Sequence, residues 1–280
     1  MSIVTISRGS YSRGKEVAEA LAEELGYACI SREILVEASH RFNIPEIQLA
    51  RALHDSPSIF DRLQGFREQY LDYFKSSFLQ RMLEGNVVYH GLAGHFFLQG
   101  IDHALKVRIN ARMSDRVLEE MKREHCSDHE ALTRLKKDDK ERRLWSHRLF
   151  GQDTWDSRLY DMVLQVDSLT VQDIVELLAI TVRKEQFQET RHSAKQLAKR
   201  ALLADVKAMT APVAPHAEVR IVGNSAVELS HLDGRLKCDA DARRSFTDKL
   251  RKELEIEQVI FREPPQADRA HINTFYNLDL

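Results

Sequence analysis

An α/β fold is the class this sequence predicts: a doubly wound, five-stranded parallel sheet with helices on both faces, followed by a small C-terminal α+β domain. Three observations predict it. The chain opens on a short β-branched run without alternation, Ser2-Ile3-Val4-Thr5-Ile6-Ser7, which is how a strand buried on both faces reads. A glycine-containing loop and a helical pattern follow directly. Four more short apolar runs then alternate with helical patterns, the order that builds a parallel sheet.

The elements follow in order. Lys15 to Leu25 carries Val17, Ala18, Leu21, Ala22 and Leu25 at helical spacing, and Gly26 stands where such a helix stops. Strands are expected at Tyr27 to Ile30, Asn86 to His90, Leu105 to Ile109 and Met162 to Val166. Helical patterns fill much of Arg32 to Leu83, then Met113 to His125 and Thr170 to Phe187. Phe60, Phe66, Tyr70, Tyr73, Phe74 and Phe78 recur at helical spacing and read as core or subunit packing. This first domain is placed at residues 1–188, with a helical linker at 189–215.

Glu218 to Gly223 and Ala226 to Leu229 alternate around Gly223-Asn224 like a hairpin, before a helix at Ala240 to Leu254 and a strand at Gln258 to Arg262. That small domain is placed at 216–264, with a tail at 265–280.

Composition narrows the function. The chain has 280 residues, 43% hydrophobic and 30% charged, with a net charge of −2. That is a globular composition without a global basic field, so nucleic acid and anionic membrane are not expected partners. No stretch approaches the ~20 apolar residues that span a bilayer. Cys29, Cys126 and Cys238 match no metal or redox spacing. A cytoplasmic protein in a reducing compartment is the expectation.

The loop carries the chemistry. Gly9-Ser10-Tyr11-Ser12-Arg13-Gly14-Lys15 fits G-x-x-x-x-G-K, a P-loop, and it lies between the first strand and the first helix. Backbone N–H groups there can face phosphate oxygens, the helix dipole favours an anion, and Lys15 can reach the outer phosphates. Glu16 stands where Ser or Thr usually ligates Mg²⁺. The bland alternative is a tight β–α turn that contains two glycines. Ligands on such sheets sit at the carboxyl ends of the strands, where His90 and His95 are also expected. Those histidines could bind an acceptor phosphate or act as acid and base near neutral pH. Arg32 could read an acceptor or begin a helix.

Thr5-Ile6-Ser7-Arg8 and Ser12-Arg13-Gly14-Lys15-Glu16 resemble the opening of the cytidylate kinase-like family, which typically reads ISRE and YGSGGRE there. The resemblance continues through Asn86 to Gly91, Lys137 to Arg143 and Trp155 to Leu164, and covers about the first 185 residues. It makes Glu16 a family trait. It implies transfer of the γ-phosphoryl group of ATP, with Mg²⁺, to a small acceptor such as CMP. Gly9 to Glu16 would hold the nucleotide, and Ser12 or Glu16 the metal through water. Lys15, Arg142 and Arg143 would be catalytic, with Asp139 orienting a lid arginine. Ser31, Arg32, His90 and His95 would face the acceptor.

Departures stand at Tyr11 and Arg13, where the family has glycine, at Leu92, where it has an arginine, and at Ser31, where it has an aspartate. They keep a second expectation open: a non-catalytic nucleotide sensor signalling through the C-terminal domain. The residues from 134 to 143 also read as a solvated helix face laced by i,i+4 pairs. The small domain resembles a BON-type domain in Val219 to Ile221, Val227 to Ser230 and Val259 to Phe261, which implies a ligand- or protein-interaction module; the alternative is a simple dimerisation appendage.

Overall fold

The structure, a computed structural model, describes residues 1–54, 64–223 and 225–262, the side chains of 51–54 and 64–67 excepted. Phe60, the side chain of Phe66, Asn224 of the hairpin turn and the 265–280 tail lie outside the described residues. The chain divides into two units, Met1–Ala201 and Leu202–Leu280.

The first unit is built on a five-stranded sheet. Its strands are β1 Ile3–Arg8, β2 Ala28–Ile30, β3 Val87–His90, β4 Ala104–Ala111 and β5 Met162–Val166. Their spatial order is β2-β3-β1-β4-β5, and every pairing is parallel. The doubly wound parallel fold expected from the sequence is therefore the fold of this unit. Parallel strands need crossovers, and helices supply them: α1 Gly14–Leu25, α2 Glu33–Phe42, α3 Glu46–His54, α4 Gln64–Met82, α5 Gly94–Phe97, α6 Met113–Glu124, α7 Asp128–Phe150 and α8 Val171–Val182.

The central strands are apolar on both sides because both faces are covered. Ile3, Val4, Ile6, Leu105, Val107 and Ile109 are fully buried. On one face α1 (Val17, Ala18, Leu21) and α8 (Ile174, Val175, Leu178) close one hydrophobic cluster. On the other, Phe78 of α4 meets Tyr89 at 4.8 Å edge to face and Phe97 at 5.4 Å. The described part of the aromatic run on α4 is thus packing, as its spacing implied. The edge strand β5 alternates between partly buried and exposed residues, because Met162, Leu164 and Val166 face the hydrophobic cluster while Val163 and Gln165 face the other, open side.

Helix α9 spans Arg191–Thr210 without a break. The polar sequence at 185–199 suggests helix only at its edges. The small buried residues Ala201 and Ala204, with Leu197, give the helix a narrow apolar side that the polar residues mask.

The second unit holds β6 Glu218–Val222, β7 Ala226–Ser230 and β8 Gln258–Phe261 in that spatial order. β6 and β7 are antiparallel, while β7 and β8 are parallel. Helices α10 Gly234–Cys238 and α11 Ala240–Leu254 connect β7 to β8. Val227, Leu229, Leu236, Phe246, Leu250 and Ile256 form its core. Among the described residues no helix is long and apolar enough to cross a membrane.

Phe78→Ala should cost about 3–5 kcal/mol, the range for emptying a packed aromatic site. A urea midpoint within experimental error of wild type would contradict the packing described.

Candidate nucleotide and acceptor site

The P-loop leaves β1 at Arg8 and enters α1 at Gly14. Tyr11 and Arg13 both take left-handed backbone, with φ of 56° and 60°. They stand where the resembled family has glycine. Each costs about 1–2 kcal/mol for a residue with a Cβ, so neighbours must hold the conformation. Arg116 of α6 donates from Nε to the Ser10 carbonyl at 2.7 Å. Tyr11 packs on Val117, Ala131 and Leu135, with the Arg123 guanidinium 5.4 Å from its ring. Gly14 has no such freedom: a Cβ there would lie 2.7 Å from the Arg8 Cβ.

Helix α7 lies against this loop. Its start is fixed by a capping box, in which Ser127 and Glu130 exchange side-chain and backbone bonds. Arg142 donates to the Arg8 carbonyl at 3.2 Å and to Ser10 Oγ at 2.9 Å. Ser10 Oγ donates in turn to Asp138 Oδ2 at 3.2 Å. Asp139 is buried and accepts two bonds of 2.9 Å from Arg116. Sequence reasoning gave Asp139 a lid arginine as partner, and the structure gives it Arg116 of the preceding helix. Arg143 points elsewhere: it pairs with Asp153 and lies 4.6 Å from the Trp155 ring.

Of the remaining loop side chains, Lys15 and Glu16 turn outward and Ser12 turns in. Lys15 is mostly exposed and sits 3.4 Å from Glu19 one turn along α1. Glu16 is held by two bonds from Arg13, of 2.8 and 2.6 Å. Ser12 Oγ donates to the Gly9 carbonyl at 3.1 Å, inside the turn. Ser12 and Glu16 thus have separate partners, one inside the loop and one on its outer side. Among the described residues no cluster of three His, Cys, Asp or Glu fits a metal.

A cavity of about 270 Å³ opens beside the loop at the carboxyl ends of β1, β3 and β4. Its positive lining is Arg8, Arg32, Arg108 and Arg142, and Ser31 and His95 also face it. Leu92 lines it as well, in the place of the family's arginine. Its one carboxylate, Asp139, is already bound to Arg116. Arg32 pairs with Glu46. Among the described residues, Arg8 and Arg108 have no carboxylate in ion-pair range. Arg108 is buried, with Nη1 3.4 Å from Ser7 Oγ. Burial lowers the pKa values of Arg8 and Arg142, yet arginine stays charged. Arg8 Nε and Trp145 Nε1 are buried donors without partners.

The two histidines differ. His95 lines the cavity and lies 3.2 Å from the Tyr160 hydroxyl, which donates to the Thr154 carbonyl at 2.8 Å. The same hydroxyl also lies 3.2 Å from Ser7 Oγ and 3.0 Å from Thr154 Oγ1, and His95 Nδ1 is buried without a partner. His90 is buried on β3 and does not line the cavity. Burial, then Arg108 and Lys106, pushes His95 down to about 3. Burial, then Arg8, pushes His90 down to about 4. Neither is poised to exchange protons near neutral pH, contrary to the acid–base expectation. Burial outweighs the glutamates near His90.

Arg108 and Arg116 were the residues that sequence reasoning passed over. The signal for Arg108 is a charge inside an apolar strand, Leu105 to Ile109. Arg116 gives no signal in the sequence, because its partners Ser10 and Asp139 are 106 and 23 positions away.

Two outcomes test this geometry. Asp139→Ala leaves the Arg116 charge buried and unpaired, and should destabilise the first unit by about 3–5 kcal/mol in urea unfolding. Near pH 7 both histidines are neutral in folded and unfolded chains. As pH falls below 6.5, the unfolded chain takes up protons that buried His95 refuses, so stability falls, down to about pH 3. His95→Gln should flatten the stability slope by about half a proton at pH 6.5, rising to nearly one proton at pH 5. An unchanged slope would place His95 in water.

The model of the cytidylate kinase-like family matches residues 3–168. Among solved structures, an uncharacterized protein from Eubacterium ventriosum ATCC 27560 is 20% identical over 66% of this chain and 100% of its own, with a TM-score of 0.49. Shikimate kinase from Bacteroides thetaiotaomicron is 13% identical over 65% of this chain and 99% of its own, at 0.40. Shikimate kinase from Acinetobacter baumannii, in complex with shikimate, is 11% identical over 67% and 96%, at 0.38. No curated protein matches the sequence. With more than half of its length matched by the family model, the chain belongs to the cytidylate kinase-like family.

Proposed function

We propose that the first unit is a P-loop kinase that transfers the γ-phosphoryl group of ATP to a small anionic acceptor, with a nucleoside monophosphate such as CMP as the acceptor class that the family suggests. The observation that carries the reading is the cavity beside the loop. Arg8, Arg108 and Arg142 line it together, and its one carboxylate is committed to Arg116. Arg108 is buried and Arg8 half-buried, neither with a carboxylate in ion-pair range among the described residues, and a guanidinium so placed is costly unless an anion answers it. A phosphate or carboxylate is the ligand that satisfies both their charge and their donors. The aromatic walls, Phe74, Tyr89, Phe96 and Trp145, suit a planar body behind that anion.

The roles follow from position. Backbone N–H groups of Ser10 to Gly14, with the α1 dipole, cradle the β-phosphate. Lys15 leaves Glu19 to meet the β- and γ-phosphates. The exposed Lys15–Glu19 pair is worth little, so the exchange is easy. Arg142 neutralises charge on the moving phosphoryl group, and Arg143, turned to Asp153, contributes less. An acceptor oxygen attacks the γ-phosphorus, the bond to the bridging oxygen breaks, and ADP leaves. Mg²⁺ would neutralise phosphate charge, with Ser12 or Glu16 meeting it through water, since among the described residues no cluster of three His, Cys, Asp or Glu would hold it directly. A cytoplasmic location suits a nucleotide-consuming enzyme. The second unit, with its strand–strand–helix–helix–strand order, is proposed as a BON-like module for a ligand or a partner, or else as a dimerisation appendage.

Leu92 and the outward Lys15 favour a second reading, a sensor that binds nucleotide without turnover. Release of ADP from Mg-ATP, measured against a panel of nucleoside monophosphates, separates the two. An acceptor-dependent rate that falls about 10²–10³-fold in Lys15→Ala and Arg142→Ala is expected for the kinase. Tight ATP binding with no acceptor-dependent release would leave the sensor.

A further inference from the structure

Helix α7 has a second functional face. Arg142 and Asp139 look toward the P-loop, but Lys136, Lys140, Arg143 and His147 recur at i, i+4, i+7 and i+11 and line a separate groove of about 500 Å³. Such spacing keeps them on one side of a helix, and Lys136 and Arg143 stand about 10 Å apart along its axis. Trp155 forms the aromatic end of this groove. It is half exposed, and the Arg143 guanidinium lies 4.6 Å from its ring centre. Leu144 adds apolar surface and is also largely exposed.

The charge balance of the groove is one-sided. Its two carboxylates, Asp139 and Asp153, are each bound through two or more contacts by an arginine. Among the described residues, Lys136 and Lys140 have no carboxylate in ion-pair range, although Lys137 between them pairs with Glu141. Two free ammonium groups thus stand about 6 Å apart along the helix, within about 10 Å of a guanidinium–indole stack. The chain as a whole carries −2, so this is a local positive field on a slightly acidic molecule. A solvated helix face would explain the lysines alone. It does not account for Trp155 and Leu144, both largely exposed and both lining the same groove, with a guanidinium held over the indole: a flat aromatic surface beside free cations suits a planar anionic ligand.

We propose that this groove is a second nucleotide site, in which a nucleobase stacks on the Arg143–Trp155 pair and the phosphates of a nucleoside polyphosphate meet Lys136 and Lys140. Arginine and indole planes take bases by stacking without hydrogen-bond readout. Along the helix axis Lys140 lies about 4.5 Å and Lys136 about 10 Å from Arg143, so the lysines reach away from the stack in the direction a polyphosphate would run. His147 continues the stripe beyond the stack, on the side away from the phosphates. Trp155 and Asp139 line both this groove and the acceptor cavity, so the two sites share a wall. The proposal does not require the kinase reading: it names a binding site outside the P-loop.

Equilibrium dialysis of radiolabelled ATP against the full chain tests it. Two equivalents are expected for the wild type, and one for the Lys136→Glu, Lys140→Glu double variant. Trp155→Ala should weaken the same equivalent at least several-fold. Both lysines are exposed and unpaired, so the double variant should melt as wild type does. The remaining equivalent of the double variant should vanish when Lys15→Ala is added. If it persists, the P-loop reading fails and the groove stands. The groove is refuted if the wild type binds one equivalent that the double variant retains. It is equally refuted if the only equivalent disappears in the double variant, because the lysines would then belong to the P-loop ligand. Raising salt from 50 to 200 mM should weaken the groove equivalent several-fold.

Discussion

The buried ion pair between Arg116 and Asp139 is the contact on which the site depends. Both partners are almost out of water, and the pair closes with two hydrogen bonds of equal length. A buried pair of this kind adds little net stability over a well-packed apolar alternative, but it is highly directional. Here the direction is used. The third donor of the same guanidinium holds the Ser10 carbonyl, so one arginine ties α6, α7 and the P-loop together. A Cβ at Gly9 would meet that guanidinium at 3.4 Å. The loop can then keep Tyr11 and Arg13 in backbone conformations that would relax elsewhere.

Around this clamp the charges are sorted by face. Arg8, Arg108 and Arg142 converge on a cavity without a carboxylate of their own. Low local polarity strengthens any interaction they make with an entering anion. His95 stays neutral there because protonation beside Arg108 in a buried position is too costly. It is therefore a hydrogen-bonding group and adds no charge. Arg143, one residue from Arg142, is rotated by about 100° around the helix, as 3.6 residues per turn require. It serves a different surface. The basic helix thus sends its two neighbouring arginines to different surfaces, Arg142 toward the P-loop and Arg143 toward Asp153.

The departures from the family pattern take on physical meaning in this setting. Tyr11 in place of glycine brings a ring that packs on the α6–α7 hairpin. Arg13 in place of glycine neutralises Glu16. Leu92 removes one arginine from the cavity, while Arg8 and Arg108 remain in its lining.

Several things were legible from the sequence alone because they are local. The strand–loop–helix opening rests on β-branched residues next to two glycines. The crossover helices rest on apolar spacing, and the strands of the parallel sheet on short apolar runs. The roles of neighbouring arginines were not legible. Arg142 and Arg143 look alike in sequence, but only the packing of α7 decides that one meets Ser10 and the other Asp153. The partner of Asp139, the neutrality of His90 and His95, and the cavity itself arise from residues far apart in the chain. Sequence by itself determined the fold class and the place of the P-loop, because hydrophobic periodicity and glycine act over one turn or one strand. Tertiary structure decided which charges are paired and which are left for a ligand, because desolvation and Coulomb energy depend on distances that only the folded chain defines.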